Sequence, residues 1–93
     1  MTTQTNATAI PAVEVVLSDV VANLALLVHA YLNPSGGGPE AAAAPDLESA
    51  ELAIDVASRA FDRIQPRLSP QERSAMARLL TDIRLDYVKK RGL

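Results

Sequence analysis

The segment that most restricts the fold is the apolar stretch AVEVVLSDVVANLALLVHAYL at residues 12–32. At about 100° per residue, its polar side chains fall within roughly half of the helix circumference, and Val, Leu and Tyr fill the other half. This pattern predicts an amphipathic first helix over about residues 12–32. Its apolar face is wide enough to contact more than one neighbouring helix.

A stretch of this length also raises the question of a membrane span. Glu14, Asp19, Asn23 and His29 argue against one, because ionisable and polar groups are costly at the centre of a bilayer. We therefore expect no membrane span. The N-terminus lacks a basic region and a cleavage site after an apolar stretch, and the chain has no cysteine, so we expect a cytoplasmic location.

The segments that flank the first helix have the composition of irregular chain. Residues 1–11 are mainly polar and uncharged, which predicts a disordered tail. Residues 33–45, NPSGGGPEAAAAP, contain three glycines and three prolines and predict a linker. We therefore expect a single helical domain over residues 12–93.

Two further helices are predicted after the linker, over about residues 46–65 and 70–91. Asp46 is a favourable N-cap for the second helix, and Ser69 with Glu72 forms a capping box for the third. The short connection makes these helices antiparallel neighbours. The sequence thus predicts an all-α protein in which a helix 2/helix 3 hairpin packs with helix 1 in a dimeric or higher helical bundle. Whether helix 1 packs within its own chain or is exchanged with a partner chain stays open at this stage.

Parts of helices 2 and 3 resemble a bacterial family, domain of unknown function 1844. The stretches that carry the resemblance are DLESAELAID, the LSPQE turn and LLTDIRLDYV, and with the looser match of helix 1 the resemblance covers about two thirds of the chain. The resemblance implies a small helical protein and names no catalytic residue. Helix 1 matches more loosely, because YLNP stands where the family has a Leu-Gly followed by a proline.

Apolar residues on helices 1 and 3 exceed what one small core needs. On helix 3, Leu85 and Val88 lie away from the main apolar seam in helical projection. Several exposed large apolar groups would favour aggregation, which predicts a homo-oligomer, with a dimer favoured. The residues expected at this interface are Val16, Val20, Leu24, Leu27, Tyr31, Leu85 and Val88.

The charges are divided between two halves of the chain. Residues 1–58 contain no Lys or Arg, and every basic residue lies from Arg59 onward. This division predicts that the acidic half pairs with the basic half, within a chain or between chains. An ion pair of Asp55 with Arg84 is one such expectation. Acidic residues interrupt the basic half, so we do not expect nucleic-acid binding.

No pattern in the sequence indicates an enzyme, a metal site or a cofactor. His29 is the only histidine and lacks the spacing of a metal-binding motif, and the serines have no neighbouring base pattern. We expect a non-enzymatic assembly or protein-interaction module, which could also bind a second protein. The alternative is a ligand- or nucleic-acid-binding protein with a site formed between subunits, near His29, Asp19 or Arg84.

Overall fold

A computed structural model of the chain describes residues 10–34 and 44–92. This part forms three α-helices, and a short 3₁₀ turn, Gln65–Arg67, joins the second to the third. Within it no strand occurs, and the predicted all-α, three-helix fold is confirmed. Most of the predicted tail and the middle of the predicted linker lie outside the described residues. The helices are α1 (Val13–Leu32), α2 (Leu47–Ile64) and α3 (Pro70–Arg91).

Side-chain caps define the N-terminal ends of α2 and α3. The backbone N–H of Ser49 donates to Asp46 Oδ1 at 3.1 Å, and this bond lowers the pKa of the Asp46 carboxyl. A carboxyl with a lowered pKa stabilises the fold above its ordinary titration range and loses that contribution as the pH falls through it. At α3 both bonds of the capping box form. The backbone N–H of Glu72 donates to Ser69 Oγ at 3.1 Å, and the backbone N–H of Ser69 donates to Glu72 Oε1 at 2.8 Å. Local sequence thus determines where both helices begin.

Replacing the cap residue of α3 with alanine, Ser69→Ala, is expected to lower the free energy of unfolding by about 1 kcal/mol. The substitution leaves the N–H of Glu72 without its acceptor. Urea denaturation monitored by circular dichroism measures the effect. Ser74→Ala, on an exposed position inside the same helix, is the matched control and should not destabilise the protein. Equal losses in the two variants would contradict a capping role for Ser69.

Hydrogen bonds at the helix ends give the relative directions of the three helices. The backbone N–H of Asp46 donates to the carbonyl of Tyr31 at 2.9 Å, so α2 starts beside the end of α1. At the other end, Arg67 Nη1 donates to Glu14 Oε1 at 3.1 Å. Helix α1 is therefore antiparallel to α2. It is parallel to α3, which is in turn antiparallel to α2, and α1 packs against both helices of its own chain.

The core lies where the three helices meet, and α2 contributes small residues to it. Ala50, Ala53 and Ala57 are buried on the side of α2 that faces the core. Small side chains at successive turns allow a second helix to approach closely. From α3, Leu80 and Ile83 complete this core. The core is therefore made mostly of aliphatic and alanine side chains.

Only one edge of the wide apolar face of α1 enters the core. The centre of its buried stripe lies about 80° around the helix from the centre of the apolar face, at 100° per residue. The polar residues beside this stripe contact the rest of the bundle, Glu14 binding Arg67 in the 3₁₀ turn and His29 binding Asp86 on α3. The rest of the apolar face remains partly exposed. The buried residues of α1 are Val21, Ala25, Val28 and Leu32.

Candidate interaction surface

A continuous apolar surface spans α1 and α2 on the side that α3 does not cover. We call it the α1–α2 face. Leu52 at its α2 edge is 64% exposed and Leu27 on α1 is 43% exposed. An open groove of about 250 Å³ runs between the two helices, and no residue of α3 lines it. The large residues of the face are Val16, Val20, Leu24, Leu27, Tyr31, Leu52 and Val56.

Charged residues border the α1–α2 face and also occupy its end near the C-terminus of α2. In helical projection Asp19 lies at the α1 edge and Glu48 at the α2 edge, whereas Arg59 and Arg63 lie on the same side of α2 as Leu52 and Val56, towards the C-terminal end of the helix. All four are exposed. An apolar centre with a polar rim is the anatomy of a protein–protein interface.

All five interface residues predicted on α1 belong to this face, but Leu52 and Val56 were not among the predicted residues. Both lie outside the apolar seam of α2 that faces the core. The signal that could have found them is their own spacing, since residues four apart share one side of a helix. Two apolar stripes on one helix indicate two buried sides.

The other predicted interface residues, Leu85 and Val88, lie on a different surface. The buried side of α3 is formed by Leu80 and Ile83, and Leu85 points away from it with 56% exposure. The outer stripe of α3 and the α1–α2 face therefore point in opposite directions. A single two-fold interface can include only one of them.

Asp55 and Arg84 do not form an ion pair within the chain. The carboxylate of Asp55 instead binds Arg59 Nε at 3.1 and 3.2 Å, because residues four apart are neighbours on a helix. Arg84 Nη2 donates to Ser58 Oγ at 2.6 Å. Both residues line one broad, open depression of about 590 Å³ between α2 and α3. A pair between chains stays a prediction.

His29 takes part in a polar contact between α1 and α3. Its Nδ1 lies 3.1 Å from Asp86 Oδ2, and Asn33 Nδ2 donates to the same oxygen at 3.3 Å. Lys90 Nζ donates to Asn33 Oδ1 at 2.7 Å. Among the described residues, no cluster of three His, Asp or Glu is placed to hold a metal ion. The geometry thus gives His29 a partner in helix packing.

Ionic contact also holds the opposite end of α1. The backbone hydrogen bond at Glu14 and then the Arg67 guanidinium lower the pKa of the Glu14 carboxyl. Sequence reasoning missed this pair, because the two residues are far apart in the chain and meet only through the antiparallel packing of α1 and α2.

Helix α1 has the length and composition of a membrane span, with a mean hydropathy of 1.8 over its most apolar window. Only four of its twenty residues are buried in the chain. One such helix is weak evidence for a membrane, because the core helix of a soluble protein has the same properties. What the observation establishes is a large apolar surface on α1.

Comparison of the chain with protein-family models, curated proteins and solved structures finds no match. The resemblance to domain of unknown function 1844 is therefore neither supported nor contradicted, and it stays a prediction.

Proposed function

We propose that the chain is a non-enzymatic assembly module that self-associates through the α1–α2 face. The observation that carries the proposal is the continuous apolar surface formed by two helices and left uncovered by the third. Burial of apolar surface contributes about 25 cal/mol per Å², and exposed patches of this kind mark interaction sites. Burial in an interface would also account for the hydropathy of α1 without a membrane.

A second copy of the chain is the partner that fits this face best. Two α1–α2 pairs packed face to face would form a four-helix bundle with α3 on each outer side. The large residues of the face are Val and Leu with a single tyrosine, and Ser49 and Ala53 also line its groove, a mainly aliphatic composition like that of the core of such bundles. A two-fold arrangement buries the same surface on both copies and leaves neither α1–α2 face unpaired.

Sedimentation equilibrium of the full chain is expected to give twice the monomer mass of 9.9 kDa at micromolar concentration. The melting temperature should also rise with protein concentration, because association stabilises the folded state by mass action. A stable monomer with a melting temperature independent of concentration would contradict the proposal. A dimer that captures no other protein would still satisfy it.

The second candidate function is a ligand or nucleic-acid site between subunits. The contacts of two of the residues expected there favour assembly, since His29 and Arg84 each hold a neighbouring helix. Titration with labelled single-stranded RNA and duplex DNA at low salt tests this alternative. Binding that weakens steeply with added salt would favour it.

A further inference from the structure

We infer that the two copies pack antiparallel, about a two-fold axis that is perpendicular to the helices and passes close to Leu24 and Val56. Each helix of the α1–α2 face would then lie against its own counterpart. This arrangement rests on the proposed function, and it places Glu48 of each copy opposite Arg63 of the second copy.

The contacts at the ends of α1 and α2 show which residues of the two helices lie at the same height along the bundle. Tyr31 is level with Asp46, and Glu14 is level with Arg67. The midpoints of these two spans lie at residues 22–23 on α1 and 56–57 on α2. Residues close to Leu24 and Val56 are therefore level, and one axis can pass between both helices.

The apolar stripe of α1 is nearly symmetric about this level. With an axis between residues 23 and 24, Val16 lies opposite Tyr31 of the second copy. Val20 likewise lies opposite Leu27 of the second copy. Both pairs have the same midpoint, so a helix packed antiparallel on its own copy brings these four side chains together in two apolar pairs. Self-complementarity of this kind is what a two-fold interface requires.

The charges on α2 are complementary across an antiparallel interface. The N-terminal half of the helix carries only carboxylates, whereas the C-terminal half carries Arg59 and Arg63 with the single carboxylate Asp62. Glu48 and Arg63 are eight and seven residues from Val56, so the antiparallel arrangement brings them together across the axis. A two-fold axis parallel to the helices would instead place α2 of each copy against α1 of the second copy, with Asp19 rather than Glu48 near Arg63. The Glu48–Arg63 pairs would not form in that arrangement, so these pairs distinguish the two geometries.

Cysteine cross-linking tests the arrangement directly, because the chain contains no cysteine. The double variant Glu48→Cys/Arg63→Cys should form a covalent dimer under mild oxidation or with a short bis-maleimide. Neither single variant should do so, since each cysteine then lies about 22 Å from its counterpart at 1.5 Å per residue. The readout is the mass on a denaturing gel.

The double variant Asp19→Cys/Arg63→Cys is the matched control for the other two-fold arrangement. Cross-linking of this variant, without cross-linking of the Glu48/Arg63 variant, would overturn the antiparallel geometry and leave the proposed function standing. A dimer in which neither variant cross-links would also overturn it. Monomeric protein in sedimentation would contradict both the geometry and the proposed function.

Charge reversal gives a second, independent measurement. Arg63→Glu should raise the dissociation constant of the dimer about five- to tenfold, because two rim pairs become like-charged. Adding Glu48→Arg should restore it to within about twofold of the original value. Failure of the double reversal to recover affinity would show that the two residues do not meet.

Discussion

Leu27→Asp is expected to raise the dissociation constant of the dimer more than a hundredfold while the monomer keeps its helical fold. Leu27 is 43% exposed in the single chain, so a carboxylate there remains solvated in the monomer. In the dimer the same carboxylate would be buried without a partner, which costs about 3–5 kcal/mol. Sedimentation equilibrium measures the dissociation constant, and circular dichroism measures the fold.

Leu26→Asp is the matched control, because it makes the same change one residue earlier on the same helix. Leu26 is 69% exposed and points away from the α1–α2 face. We expect its dimer to have nearly the original affinity. Leu85→Asp makes the same change on the outer stripe of α3. If Leu85→Asp dissociates the assembly and Leu27→Asp does not, the interface lies on α3 and the proposed face is wrong.

The beginning of α3 was predictable from sequence because its determinants are local. Ser69, Pro70 and Glu72 satisfy the first turn of the helix with bonds inside that turn, and no distant residue is needed. The apolar seam of α3 was predictable for the same reason, since its period follows from helix geometry. Leu80 and Ile83, its central residues, are buried.

The rotation of α1 about its own axis was not predictable from sequence. A helical projection gives the width of an apolar face, but every part of that face is equally suitable for burial. The buried part depends on which neighbours approach, here the alanine stripe of α2. Glu14 and His29 then fix the rotation through partners in the 3₁₀ turn and on α3. Those contacts are tertiary and carry no local signal.

Sequence could predict the exposed apolar stripe of a single helix, but not how the stripes of two helices combine into one surface. Val16 and Leu27 could be assigned to an exposed apolar stripe from the excess of apolar residues on α1. Their continuity with Leu52 depends on how closely α1 and α2 pack and at which level, which the bond from Asp46 to Tyr31 determines. For the same reason, sequence alone predicted Leu85 at the same interface as the α1 residues, although it lies on the opposite side of the bundle.

Ile83→Ala is expected to lower the free energy of unfolding by about 2–5 kcal/mol, measured by urea denaturation at one fixed protein concentration. Ile83 is fully buried against α1 and α2, and truncation leaves a cavity that the neighbouring helices cannot fill. Small domains have total stabilities of about 5–15 kcal/mol, so the loss is a large fraction of the whole. The variant should unfold at much lower urea.

Leu85→Ala removes the same number of carbon atoms from the same helix, two residues away, and is the control that gives this measurement its meaning. Leu85 is exposed in the chain, so the loss should be within about 0.5 kcal/mol if the outer stripe of α3 remains in water. A loss equal to that of Ile83→Ala would mean that another copy covers this stripe. The ratio of the two values therefore reports which side of α3 is buried in solution, independently of any measurement of oligomer mass.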